Sequence, residues 1–475
     1  MKRYFVLISL LLFCLGTFAA EFSTKGGNGI LYETPSSING DVYIFSENTD
    51  GVQLEFSVED STSFSWFEYK SDPAEALKLT ENISISDDGK SSILSKVREN
   101  YGYFVEYEYK KMVCTEDEEG EEQCEEVTQT AKKYVWIAIY EPMKTVTWEE
   151  GVVCEYLKLY IEPEMGYVLA DNFGYRKTGS IERNLKIVYS TFKREGNNPP
   201  DVQEVSENHS AATVVNVNVP YVDTDFTITD QLGVKLNIGA ASEIVTDSVY
   251  KTFAVIAFPA MTVEDKEANE VDPNNNWDKD ASGNVRVYFS GVLDESTKAE
   301  FRTSAPLHVS FAHNRSEKVD RFVWQISRNP DFTTGIPYVN VDLNNFIFEE
   351  LGVHYIRLSV FGESDSLGKF CEYTAYACLE ISESGVWVPN VFTPNGDNVN
   401  DVFKVAYKSI ASYRCRIYNQ WGKMVYDSTD ITQGWDGKIG GRDASIGAYY
   451  YVIDAKGTDG KVHKKRGDIN LVRSK

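Results

Sequence analysis

Val388-Pro389-Asn390-Val391-Phe392-Thr393-Pro394-Asn395-Gly396-Asp397 opens the closing stretch of the chain, Gly385 to Lys475. That stretch contains no glutamate, the last being Glu383, although the residues before it are rich in glutamate. Its fourteen Lys and Arg outnumber nine Asp, a net +5, against −30 for everything N-terminal to it. So sharp a change of charge sign marks a separately built module. Turn signals recur at short spacing: Asn395-Gly396, Trp421-Gly422, Asp436-Gly437, Gly440-Gly441 and Asp459-Gly460. Between them lie β-rich runs such as Tyr413–Tyr418, Lys423–Tyr426 and Ala448–Asp454. The pattern predicts a compact β-sandwich.

At the other end, Met1-Lys2-Arg3, the apolar run Tyr4–Leu15 and the small residues Thr17, Ala19 and Ala20 have the layout of a secretory signal peptide. The apolar run is too short for a stable membrane anchor. The rest of the 475 residues is too long for one core. With 29 Tyr, 25 Phe, frequent Val and Thr, and almost no helical periodicity, the expected class is all-β. The acidic balance argues against nucleic acid or an anionic membrane as partner, since both would be repelled.

Two stretches share an order of strands. Val52, Leu54, Phe56 and Val58 alternate onto one face, Trp66 follows, and Gly102-Tyr103-Phe104-Val105 comes later. Leu307, Val309 and Phe311, then Trp324, then Gly352-Val353-His354-Tyr355 repeat that order. Offsets of 255 (Phe56 to Phe311), 258 (Trp66 to Trp324) and 250 (Gly102 to Gly352) suggest a diverged internal repeat of immunoglobulin-like sandwiches. Between the copies, strands are expected at Glu155–Glu162, Leu185–Phe192, Ala212–Val219 and Phe253–Phe258, with a long polar loop at Glu264–Asn284. The resulting division is a signal segment (1–20), an Ig-like body (21–143), a β-rich middle of unassigned type (144–284), a second Ig-like body (285–384) and the closing module (385–475).

The closing module also carries ordered motif blocks. Pro389, Asn390, Phe392, Thr393, Pro394, Asn395, Gly396, Asp397, Asn400 and Asp401 form the first. Asn419, Trp421 and Gly422 follow, then Trp435, Asp436 and Gly437, then Gly447 and Tyr449, and last Gly467. In this it resembles the gliding-motility-associated C-terminal domain, the type B sorting domain of the Bacteroidetes type IX secretion system. Gln420 stands where that family usually has Arg, and Asn398 where it usually has Gly. The second repeat copy, with Ala305-Pro306-Leu307, Trp324 and Gly352-x-x-Tyr355, resembles the PKD-type immunoglobulin-like domains found beside such modules. The resemblance implies recognition by the type IX translocon after signal-dependent export, and engagement of an outer-membrane partner.

Six of the seven cysteines lie beyond the signal segment, in an exported chain where disulfides persist. Cys114 and Cys124 bracket an acidic run, Cys371 and Cys378 bracket another short segment, and each pair follows the Gly-Tyr strand of its repeat copy. Two local disulfides are therefore expected, each contributing about 2–3 kcal/mol. Cys415 reads as a core residue of an alternating strand. Cys154 is unassigned, with a Cys154–Cys415 bridge left open.

No catalytic, cofactor or metal site is expected. Glu116–Glu126 holds eight carboxylates in eleven residues, but without fixed ligand spacing it reads as a solvated loop tip. Asp278-Lys-Asp280-Ala-Ser282-Gly283 begins like a calcium loop, yet Phe289 occupies the twelfth position. Asn395–Asp401 offers several oxygens and reads better as a tight turn whose side chains bond their own backbone. Neither a nucleophile elbow nor a zincin helix motif is present. The favoured function is an exported, non-enzymatic surface protein whose Ig-like bodies bind an unknown glycan or protein. The alternative is a surface hydrolase with its site in the middle region.

Overall fold

The computed structural model describes residues 20–58, 61–116, 122–196, 198–263, 278–279, 284–289, 301–303, 305–397 and 399–473. The expected signal segment, most of the polar loop at 264–284, the centre of the acidic run and Asn398 lie outside them. The chain is all-β, and the one α-helix among the described residues is Gln231–Lys235. It is built of several β-sandwich modules.

The first sandwich packs a four-stranded sheet on a six-stranded one. Val52, Leu54, Phe56 and Val58 all point inward, as their period of two requires, against Trp66, Tyr103, Val105, Val135 and Ile137. Trp66 is fully buried, and its indole N–H donates to the Ser92 hydroxyl at 2.9 Å. Gly102 lies under the Tyr69 ring; a Cβ there would stand 2.1 Å from it, so only glycine fits.

The six-stranded sheet is covered on its second face too. Val42, Ile44, Phe104, Tyr134 and Trp136 pack against Tyr167, Leu169, Leu232 and Leu236. These come from the hairpin Gly166–Ala170/Arg176–Ser180 and from the segment around Gln231–Lys235. Burial on both faces explains why Val42–Phe45 and Tyr134–Ala138 read as continuous apolar runs rather than alternating ones.

Between these layers lies a charged pair without access to water. Arg183 Nη1 donates to Asp230 Oδ2 at 2.7 Å, and neither side chain is exposed. The Tyr140 hydroxyl donates to the same oxygen at 2.8 Å, and Arg183 Nη2 donates to the Glu141 and Pro163 carbonyls. The other Asp230 oxygen caps the helix by accepting from the Leu232 N–H.

The middle region is itself a sandwich. Strands Thr145–Trp148, Tyr156–Glu162 and Val214–Asn218 form one sheet, and Asp201–Ala211, Arg183–Lys193, Thr227–Asp230 and Glu243–Val245 the other. Leu157, Leu159, Ile161, Ile187, Val217 and Ile228 meet between them. Each such side chain contributes roughly 1.5–3 kcal/mol on burial. Three of the expected strands are present here, at slightly shifted bounds. Phe253–Phe258 is not a strand. It is the crossing from one core to the next, with Ala254 packed in the middle sandwich and Val255 and Ala257 in the following one. Apolar on both sides because two cores flank it, it mimics a buried strand in sequence.

One sheet of the third sandwich repeats the order of five strands of the first sandwich's six-stranded sheet. In the first, Leu77–Lys78, Ser61–Tyr69, Tyr101–Glu116, Glu122–Ile139 and Gly40–Phe45 are neighbours in that order, the last pairing in parallel. In the third, Ile336–Val339, Val319–Ser327, Gly352–Gly362, Glu372–Ile381 and Phe301–Thr303 take the same places, again with a parallel last pair. Trp324, fully buried 5.2 Å from Phe311, occupies the position of Trp66.

The cysteines divide the expectation. Cys114 and Cys124 stand opposite each other on the hairpin and are bonded, Cα atoms 3.9 Å apart. Cys371 and Cys378 are not bonded to each other. Residues 372–381 form one extended strand, so seven residues separate these Cα atoms by about 23 Å and the side chains face opposite sides. Cys371 instead bonds Cys154, 217 residues away, tying the middle sandwich to the third. Cys378 is buried and outside any disulfide, and Cys415 is buried in the core of the closing module, which removes the Cys154–Cys415 pairing.

Peptide mapping without reduction should therefore recover Cys154 linked to Cys371. Cys371→Ser should lower stability by about 3–5 kcal/mol, as loss of a long-loop cross-link does, and Cys378→Ser should leave the map unchanged.

Candidate functional site

The closing module folds around one five-stranded sheet, in the order Val391–Phe392, Val462–Leu471, Gly447–Gly457, Ile410–Tyr418 and Met424–Ser428. Most motif residues build this fold. Phe392, Phe403, Trp435 and Tyr449 make a continuous aromatic core, with ring centroids 4.8 Å apart for Trp435–Tyr449 and 5.4 Å for Phe392–Trp435. The Trp435 indole donates to the Lys438 carbonyl at 2.9 Å, and the Tyr449 hydroxyl to the Ser445 carbonyl. Gly437 turns with φ +73° beneath Pro394, where a Cβ would stand 2.9 Å from the proline ring. Asn390 accepts from the Asn470 N–H, pinning the entering chain to the last strand, and Pro389 precedes that contact. Gly467 lies against the Tyr451 ring and Gly447 opens its strand.

Residues 393–397 and 399–401 are held in turns by their own side chains. Asp401 Oδ1 accepts from the Asn395 and Gly396 N–H groups at 2.8 and 2.7 Å. Asp397 Oδ1 accepts from Val399 N–H, and Asn395 Oδ1 from Asp397 N–H. The Thr393 N–H donates to the Asn400 carbonyl, with Asn400 at φ +54°. Asn419 repeats the device, its side-chain oxygen accepting from Trp421 and Lys423 N–H groups around Gly422. Asp436 does so for the Lys438 N–H. These side-chain oxygens accept from backbone donors, as a self-bonded turn requires. Among the described residues no group of three or more His, Cys, Asp or Glu is placed to hold a metal ion.

What the motif leaves outside is a surface. Trp421 is 80% exposed and Trp387 58%. Lys464, Lys465 and Arg466 stand exposed on Val462–Leu471, whose outer edge is paired, among the described residues, only at its end, to Val391–Phe392. Charges along an open edge keep other strands from adding to it.

Sequence reasoning missed two features. Arg473 staples the motif turns, donating to the carbonyls of Pro394, Ala444 and Gly437. Ser384 joins cargo to module: its N–H and hydroxyl both donate to Asp459, at 2.8 Å each, and its oxygen lies 2.7 Å from His463 Nε2. Lys461 pairs with Glu383 beside it. The residue types are those of a hydrolytic triad, but the geometry is not. In a triad the carboxylate orients the imidazole, whereas Asp459 holds the buried serine itself. The only sequence signal was the end of glutamate usage at Glu383.

The middle region, where the hydrolase alternative placed its site, is a filled sandwich in its described part. Its polar cluster centres on Glu207, which accepts from the Tyr189 hydroxyl and Asn218 Nδ2 and lies 3.0 Å from His209 Nε2. Burial raises the Glu207 carboxyl, but these hydrogen bonds outweigh it and hold the group below its usual range, ionised at neutral pH.

Residues 386–471 match the family model described as CHU_C Type IX secretion signal domain. No curated protein matches the chain. Among solved structures, the tetra-tandem repeat in the extending region of a large adhesion protein is 11% identical, covers 90% of this chain and 96% of its own, and gives a TM-score of 0.18. The N-terminal four Ig domains of Dscam1 isoform 1.9 are 10% identical, with 94% and 100% coverage and a TM-score of 0.22. Dimeric latent PorU from Porphyromonas gingivalis is 9% identical, with 82% and 42% coverage and a TM-score of 0.15. Scores this low carry no argument about this chain. Fold and family match together define the class: an exported protein of β-sandwich modules, at the cell surface or outside the cell, that carries a type IX secretion signal domain at residues 386–471. Among the described residues no helix is long and apolar enough to cross a membrane.

Two outcomes follow for the module. Trp435→Ala should cost about 3–5 kcal/mol in thermal or denaturant unfolding of the full chain, whereas Trp421→Ala should stay within about 0.5 kcal/mol. Burial raises Asp459, but the Ser384 and Lys461 N–H groups, the Ser384 hydroxyl and His463 outweigh it, leaving its pKa lowered. A lowered carboxylate stabilises above its unfolded pKa and loses that contribution as pH falls through the folded value. Asp459→Asn should thus lower the module's melting midpoint at neutral pH, and the gap to the parent chain should close below the carboxylate range.

Proposed function

We propose that this chain is a non-enzymatic binding protein of the cell surface, adhesin-like in use. Its closing module acts as a type B signal, engaging the type IX translocon and an outer-membrane partner. The observation that carries the reading is the module's construction. Most of its motif residues go into a self-bonded sandwich that matches a secretion signal family over 386–471. Recognition would then use the folded shape and its exposed edge. The +5 module behind −30 of cargo offers a receptor a distinct electrostatic surface. Exposed Trp421 is the aromatic anchor such a contact favours.

Upstream, two PKD-like sandwiches that share the strand order of one sheet flank a third, a construction suited to carrying a binding face away from the cell. Deletion of Gly385–Lys475 should leave the protein in the periplasm, read by fractionation and surface labelling. Undiminished surface delivery of the truncated chain would refute the sorting role.

A further inference from the structure

A cleft of about 350 Å³ opens at one end of the third sandwich. It lies between Ile336–Val339, the outermost strand of one sheet, and Phe346–Phe348, the outermost strand of the other. Cavities of roughly 300–1,000 Å³ are the usual size for small ligands. An aromatic row crosses it: Tyr338 to Phe346 at 6.2 Å, Phe346 to Phe348 at 4.9 Å, and Phe348 to His354 at 4.9 Å. Ser327, Arg328, Thr334, Glu349 and Glu350 supply the polar half of the lining. Nothing in the sorting role uses these groups.

The chemistry of the lining selects among occupants. A peptide adding as a strand is disfavoured at both edges. Asn340 N–H donates to the Phe322 carbonyl, which sets the alternation so that the backbone nitrogen of Pro337 faces outward, and proline has no N–H to offer a new strand. Phe346–Phe348 is only three residues long. A lipid tail would leave the polar half of the lining without hydrogen-bond partners.

An anion is disfavoured. The two carboxylates repel an anion, as does the −30 cargo around them. Arg328 offsets one of the two carboxylates and bonds neutral groups, His354 Nε2 at 2.7 Å and the Leu351 carbonyl at 2.5 Å. Burial holds the His354 imidazole below its usual pKa, so it adds no charge at neutral pH. A neutral molecule with one apolar face and many hydroxyls uses both halves of this lining.

We infer that this cleft binds a neutral sugar residue of a surface glycan. The C–H face of the ring lies on Tyr338 and Phe346, and its hydroxyls bond Thr334, Arg328 and Glu349. The inference rests on the binding role proposed above and names its ligand class and site.

The test uses the full chain with its disulfides intact. Cellotriose, mannotriose and tri-N-acetylchitotriose serve as neutral probes, with tri-galacturonate and an extended peptide for comparison. Binding is read by calorimetry and saturation-transfer NMR. At least one neutral trisaccharide should bind. Tyr338→Ala and Thr334→Val should each weaken it about tenfold or more. Thr334 is exposed, so Thr334→Val should keep the parent melting midpoint and separate loss of contact from loss of fold. Failure of every neutral probe overturns the inference, as does selective binding of the acidic sugar or the peptide. Sugar binding indifferent to both variants would place a glycan site elsewhere, overturning this cleft while leaving the surface-binding role intact.

Discussion

Arg183 and Asp230 form a charge pair with no access to water, and the first half of the chain is arranged around it. A carboxylate so placed does three jobs. It neutralises the guanidinium, takes the Tyr140 hydroxyl, and caps the helix through Leu232. That helix contributes Leu232 to the cover of the first sandwich, with Leu236 just beyond it. Strand Thr227–Asp230 meanwhile belongs to the middle one. A pair of this kind adds little net stability over apolar packing, but losing one partner strands a buried charge at about 3–5 kcal/mol. The first two sandwiches are thereby committed to one arrangement.

Further along, the junctions use different chemistry. The middle and third sandwiches are tied covalently by Cys154–Cys371, with Lys318 reaching back to Asp223 at 2.9 Å. Cargo and module meet through hydrogen bonds, Ser384 to Asp459. The gradation suits an exported chain. A disulfide persists outside the cell, and a polar clasp leaves the last module as a unit whose fold owes little to the cargo. Its aromatic core and its Asx turns close within residues 386–471.

The all-β class and the module were legible because their signals are local. Alternation at Val52–Val58 puts four side chains on one face whatever lies opposite, and Asn395-Gly396 or Trp421-Gly422 dictates a turn within a few residues. The repeat was legible from Trp66 and Trp324, since a buried Trp fixes its surroundings. Cys114–Cys124 was legible because a hairpin brings its own ends together. The same reasoning failed at Cys371–Cys378, where the intervening residues run on as one strand. It failed at Phe253–Phe258, where two cores rather than a sheet made the run apolar. At the cleft, none of Tyr338, Phe346 or His354 is unusual alone; only the meeting of two sheet edges gathers them.

By itself, then, the sequence determined the period-two strands, their turns, the two Trp-centred copies and a sorting module with its own charge and motif order. Only the tertiary structure decided that Arg183 meets Asp230, that Cys154 meets Cys371 across 217 residues, that Ser384 is held by Asp459, and that a mixed aromatic and polar cleft opens in the third sandwich. The physical reason is range. Backbone alternation and turn chemistry act over a few residues, whereas which faces and edges meet depends on packing free energy summed over the whole chain.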